Sequence, residues 1–179
     1  MTEPDPRYPV GEFIRPAEPL SPAQRQEFLA VLAEAPNRLR QAVAGLTPAQ
    51  LDTPYRPGGW TVRQVAHHIP DSHLNAYVRV KLALTEKEPA VQPYEEGEWA
   101  KLPDVAATPV EVSVALLDAL HRRWVTLLRL LSARDFERTA RHPSWGLVTV
   151  DFFLADYAWH SRHHVAHITS LRNREGWAA

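Results

Sequence analysis

A chain of 179 residues with 20 Lys plus Arg against 21 Asp plus Glu has room for one hydrophobic core, and its formal net charge of -1 offers no field to hold nucleic acid or an anionic membrane. With 45% hydrophobic and 23% charged residues it has the composition of a soluble globular chain, and no apolar run reaches the roughly 18 residues of a spanning helix. The lack of cysteine excludes disulfides, Cys-ligated zinc, iron–sulfur clusters and a protein thiol nucleophile, whereas nine histidines and six tryptophans are many for this length.

Residues 1–20 hold Pro4, Pro6, Pro9, Pro16 and Pro19, each without an amide donor and each restraining its predecessor. An extended arm is expected there, with Tyr8, Val10, Phe13 and Ile14 to dock it on its own bundle or a neighbour's. This Pro-rich, acidic start lacks the basic-then-apolar order of a signal peptide, so a cytoplasmic protein is expected. Ser21-Pro22 with Gln24 combines an N-cap, an N1 proline and a capping box. It opens a first long helix carrying Phe28, Leu32, Leu39 and Val43, bent at Pro36 and ended at Gly45. A short helical turn after Thr47-Pro48 leads into the turn-rich stretch 53–59. Thr61 with Gln64 caps a second long helix, whose stripe of Val62, Val65, Ala66, Ile69, Ala76, Tyr77, Val80 and Leu84 is interrupted only by Pro70. The connection after it, about 20 residues with Pro89, Pro93, Gly97 and Pro103, is long for a helix connection and reads as a crossover or a lid. Thr108, Pro109 and Glu111 predict a third capped start ahead of Val114, Leu117, Leu120, Trp124, Leu127 and Leu131, and Ser132 caps one further turn. His142 to Gly146 form a turn with room for short extended flanks, and Thr149 caps a last helix to about Asn173. Four capped long helices predict an all-α four-helix bundle in one domain, residues 1–179, with long connections that argue against the simplest up-down topology.

The densest chemistry is His160, His163, His164 and His167 on the last helix. Imidazoles at i and i+4 share a face and reach one metal ion, and two such pairs exist, 160/164 and 163/167. Helical phase puts His160 and His164 on the inward stripe with Phe153, Tyr157, Ile168 and Leu171, and makes them the buried pair. The face of His163 and His167 also carries Asp156, Ser170 and Arg174. A lone histidine on an apolar face is ordinarily a satisfied core residue, but two in register must each find partners, which favours a metal. A third ligand must come from a facing helix. The second helix offers His67, His68 and His73, its straight projection passing nearest His73, and the third offers His121; spacing alone leaves the choice open.

The run GWTVRQVAHHIPDSH over 59–73, taken with WHSRHHVAH over 159–167, resembles the DinB-like superfamily and within it the YfiT type, described as metal-dependent hydrolases and as bacillithiol S-transferases. The likeness extends from Tyr8-Pro9-Val10-Gly11-Glu12 almost to Trp177. It implies a metal-binding bundle with one ligand eight residues after the helix-opening Trp and two in HxxxH, which fall on His68, His160 and His164. Asp71, three residues after His68, and Tyr157, one turn before His160, are the candidate catalytic residues, the first to orient an imidazole and the second to hydrogen-bond a metal-bound ligand. His121, beside Trp124, reads as a core histidine. The expected cofactor is one divalent ion per subunit, zinc for preference, with nickel or manganese as alternatives. The expected activity is transfer of a low-molecular-weight thiol, such as bacillithiol, to an electrophilic small molecule through a metal-bound thiolate. Alternatives are hydrolysis by metal-bound hydroxide and non-catalytic metal or ligand binding. The resemblance also implies a homodimer.

Overall fold

The computed structural model describes residues 5–177, so Pro4 of the arm lies outside it. The elements in chain order are α1 (Pro22–Val43), α2 (Pro48–Leu51), α3 (Val62–Thr85), α4 (Glu96–Trp99), α5 (Pro103–Ala107), α6 (Val110–Arg129), α7 (Ala133–Phe136), β1 (Thr139–His142), β2 (Gly146–Thr149) and α8 (Val150–Arg174). Local chemistry sets most of the starts. Ser21, Thr47 and Thr61 each accept the amide of the residue three positions on, and Gln24, Gln50 and Gln64 reach back to the cap amides. The third long helix departs from expectation: its N-cap is Pro109, and the Thr108 side chain makes no cap. Thr108 already closes α5, with its amide on the Asp104 carbonyl. Residues 139–149 form a two-stranded antiparallel hairpin, pairing Thr139 with Thr149 and His142 with Gly146. Gly146, at φ 67°, supplies the left-handed residue that the turn requires.

Side-chain contacts give the helix directions. Arg25 meets Asp151, Arg162 reaches Glu27 and Arg172 reaches the Ala42 carbonyl, so α1 and α8 run parallel. His67 meets Ser113, His73 meets His121 and Tyr77 meets Trp124, so α3 and α6 are parallel as well. His68 lies against His164 and His73 against Tyr157, which makes α3 antiparallel to α8. The four long helices therefore run up, down, down, up, with α1 and α3 facing each other across the diagonal. This order explains the long connections. Parallel neighbours require a return path of a helix's length, and residues 86–109 supply it between α3 and α6. That crossover also lines the site, because it carries Tyr94 to Ser72.

The apolar core is in two parts. One cluster joins Leu29 and Leu32 to Val80, Trp124, Leu128, Phe152 and Phe153; the other joins Leu39 and Val43 to Val65, Ile69, Leu117, Ile168 and Leu171. Between them lies a layer of imidazoles from α3, α6 and α8. Pro36 and Pro70 fall inside α1 and α3, and neither ends its helix.

The arm docks on its own bundle. The Trp159 indole donates to the Gly11 carbonyl at 3.0 Å, and Phe13 packs edge-on against Trp145 and Phe152. Val10 and Ile14 remain exposed. Where the arm enters α1, Asp151 accepts the Leu20 amide at 2.9 Å and two Arg25 guanidinium bonds at 2.7 Å each, with only 1% of its side chain exposed. Asp151→Ala strands a largely buried guanidinium and an amide, and should cost about 3 kcal/mol of unfolding free energy. Chemical denaturation of the variant measures it, and a loss under about 0.5 kcal/mol, the scale of an exposed pair, would contradict this role.

Candidate metal centre

The i, i+4 pair His160 and His164 sits halfway along α8 with ring centroids 4.3 Å apart. From the antiparallel α3, His68 Nε2 approaches His160 Nε2 to 3.3 Å. One ring nitrogen from each of the three lies within 4.8 Å of the others, so His68, His160 and His164 can hold a single ion. Trp60, just ahead of α3, packs on His68 at 4.7 Å and lies nearly parallel to His164 at 6.4 Å. Ser72 Oγ lies 3.4 Å from His160 Nε2 and 3.5 Å from the Tyr157 hydroxyl. His160 and His164 are half-buried and keep some solvent contact.

Burial holds these imidazoles neutral. It lowers the pKa of His68 to about 4 and those of His160 and His164 well below the usual value, and neighbouring histidines push the same way. A neutral imidazole presents a lone pair, and three convergent lone pairs fit a divalent ion of the borderline class. Among the described residues no carboxylate hydrogen-bonds to any of the three rings.

The other histidines divide cleanly. His67 turns to α6, with Nδ1 2.7 Å from Ser113 Oγ. His73 lies at the centre of the bundle, fully buried, with Nδ1 2.8 Å from His121 Nε2 and Nε2 3.1 Å from His160 Nδ1. The straight projection that led to His73 finds the bundle axis, whereas the convergent nitrogens lie to one side, at His68. His163 and His167 correct the expectation that the 160/164 pair is the more buried. They are 7% and 2% exposed, because Trp159 stacks on His163 at 4.4 Å, Tyr55 stacks on His167 at 4.0 Å, and the arm covers both. With His164 they form a second group of three close ring nitrogens.

Asp71 does not take the expected role. No hydrogen bond joins it to an imidazole among the described residues, and burial with the nearby charge of Asp104 raises its pKa to about 6. Tyr157 borders the site through Ser72, with its pKa raised by burial. Ser72 was readable as one turn beyond His68 on the same face; Tyr94, on the crossover, had no local signal.

Replacing His68, His160 or His164 with Ala should abolish retention of metal through gel filtration while circular dichroism stays helical, since two apolar clusters survive each change. His67→Ala should retain a full equivalent. Elemental analysis decides, and full retention by any of the first three would remove that residue from the ligand set.

The model of the DinB superfamily matches residues 31–168. A Bacillus cereus protein named "Putative metal-dependent hydrolase" is 50% identical over 173 residues, 97% of this chain and 99% of its own, and a Bacillus anthracis protein of the same name is equally similar. YfiT from Bacillus subtilis, described as a probable metal-dependent hydrolase with an unusual four-helix bundle topology, superposes with a TM-score of 0.93 at 49% identity, over 97% of this chain and 99% of its own. The four-helix bundle protein TT2238 shares the fold at a TM-score of 0.59 and 21% identity, over 82% of this chain and 98% of its own. With most of its length matched by the family model and half its residues shared with these relatives, the chain belongs to the DinB superfamily.

Proposed function

We propose that this chain is a metal-dependent S-transferase that conjugates a low-molecular-weight thiol of the bacillithiol kind to a small electrophile, with one divalent ion, zinc for preference and nickel or manganese as alternatives, held by His68, His160 and His164. The observation that carries this reading is the donor set: three neutral imidazoles with no carboxylate bonded to them. A divalent ion in such a site supplies Lewis acidity and brings the pKa of a bound thiol or water toward neutrality. A thiol so held needs no base from the protein, and among the described residues no carboxylate is hydrogen-bonded to the three rings. With no cysteine in the chain, the transferred sulfur must arrive on a cosubstrate. Ser72, within hydrogen-bond distance of Tyr157 and His160, gives the site a polar edge to orient the incoming molecule, while Trp60 packs on the His68 side.

Hydrolysis is the second reading, and the names of the relatives favour it. Among the described residues no helix is long and apolar enough to cross a membrane; the reading is of a cytoplasmic enzyme acting on small molecules. Val10 and Ile14, left exposed on the docked arm, are apolar surface that a homodimer would cover.

The discriminating assay supplies a chlorinated aromatic with and without bacillithiol. Conjugation should require added thiol and disappear with a chelator. Thiol-independent turnover of an ester or amide, rising with pH around a midpoint of about 7 as for metal-activated water, would replace transfer by hydrolysis.

A further inference from the structure

We propose that two chains of imidazoles, each ending on a backbone carbonyl, hold His160 and His164 as single tautomers with the proton on Nδ1, so that His73, His121 and His167 act as positioning residues for the metal site. The proposal deepens the metal reading, but its core is a statement about proton positions in the metal-free protein.

The first chain begins at α1. His121 Nδ1 lies 2.6 Å from the Leu32 carbonyl oxygen. A carbonyl only accepts, so the His121 proton is on Nδ1, and in a neutral ring Nε2 is then bare. That bare nitrogen, 2.8 Å from His73 Nδ1, needs a donor, which puts the His73 proton on Nδ1. His73 Nε2 is bare in turn and, at 3.1 Å, takes its hydrogen from His160 Nδ1. The lone pair of His160 is left on Nε2, the nitrogen that faces His68. Pro36 explains why this carbonyl is available. In a regular helix the Leu32 carbonyl would accept the amide of residue 36, and proline has no amide hydrogen to give. The proline that α1 tolerates thus frees the acceptor on which the chain ends.

The second chain begins in the arm. His167 Nε2 lies 3.2 Å from the Arg7 carbonyl and carries the proton, so His167 Nδ1 is bare. It faces His164 Nδ1 at 3.4 Å. Two bare nitrogens at that distance would repel, so His164 carries its proton on Nδ1 and keeps the Nε2 lone pair for the site. The docked arm is thereby part of the metal centre.

Metal-bound histidines ordinarily donate their second N–H to a carboxylate, a carbonyl or water. Here carbonyls serve through intervening imidazoles. No negative charge enters the network, and a divalent ion in the site would keep more of its charge for an incoming ligand than one backed by carboxylates.

Long-range 1H–15N correlation spectra of the metal-free, full-length protein labelled at histidine read the tautomers directly. The expected pattern is the Nδ1–H form for His73, His121, His160 and His164 and the Nε2–H form for His167. An Nε2–H form, or a charged ring, at His73, His121 or His160 would overturn the first chain. The same result at His164, or an Nδ1–H form at His167, would overturn the second. Zinc titration followed by elemental analysis should give one equivalent. Two equivalents, both lost in His68→Ala, His167→Ala, would mean that a second ion rather than a proton lies between His164 and His167, and would also overturn the second chain. His121→Leu should weaken zinc binding about 10–100-fold in chelator competition, the loss typical of removing such a partner, and His121→Gln, which both donates and accepts, should recover most of it. Equal affinity of the Leu variant and the parent would overturn the positioning role. Failure of the protein to bind any metal would remove the proposed function and leave the tautomer pattern standing.

Discussion

A layer of imidazoles lies buried between two apolar clusters, and every nitrogen in that layer needs a partner. Unpaired polar atoms in such surroundings are costly, and charged ones more so. The bundle meets the first demand by facing ring against ring, His121 to His73 to His160 and His167 to His164. It meets the second by keeping the rings neutral, as their lowered pKa values record. Where His68 and His160 point nitrogens at each other, with His164 beside them, a cation is the partner whose chemistry fits. The candidate metal site is a place where that pairing would be completed from outside, while His67 Nε2 and His163 Nδ1 stay buried without a hydrogen-bond partner.

The topology serves that layer. Running the helices up, down, down, up puts α3 beside both α6 and α8, so His73 touches His121 on one side and His160 on the other. The cost is a set of long connections, and each is used. The crossover between α3 and α6 delivers Tyr94 to Ser72, and the stretch before α3 delivers Tyr55 to His167 and Trp60 to His68. The arm closes the remaining side, with Arg7 on His167 and Tyr8 near His163. Asp151 anchors the end of the arm to the start of α8, the helix that carries four of the nine histidines.

Much of this was legible in the sequence, for a local reason. Helix starts are decided within four residues, so Ser21, Thr47, Thr61, Ser132 and Thr149 could be read one by one; Thr108 misled because the preceding turn of helix claims its amide. The pairing of His160 with His164 follows from the 3.6-residue repeat. What spacing could not supply was anything set by a neighbour. The choice of His68 over His73 depends on the facing helices: His68 shares close ring nitrogens with His160 and His164, whereas both nitrogens of His73 are taken by His121 and His160. The burial of His163 and His167 depends on an arm that lies more than 150 positions away in sequence. Asp71 sits at the right spacing from His68, yet no hydrogen bond joins it to a ring among the described residues, and burial with the charge of Asp104 raises its pKa to about 6. Pro36 read only as a bend, because its effect falls on a carbonyl that a different helix uses.

In the function proposed above, this cluster binds a metal through three neutral imidazoles and no carboxylate. X-ray absorption at the zinc edge, on full-length protein loaded with one equivalent, tests it most directly. Three imidazole nitrogens at about 2.0–2.1 Å are expected around the zinc, with the outer-shell scattering typical of histidine rings and exchangeable light atoms in the remaining positions. A shell with fewer than three imidazoles, or one that keeps a carboxylate after exchange of the solvent ligands, would contradict it.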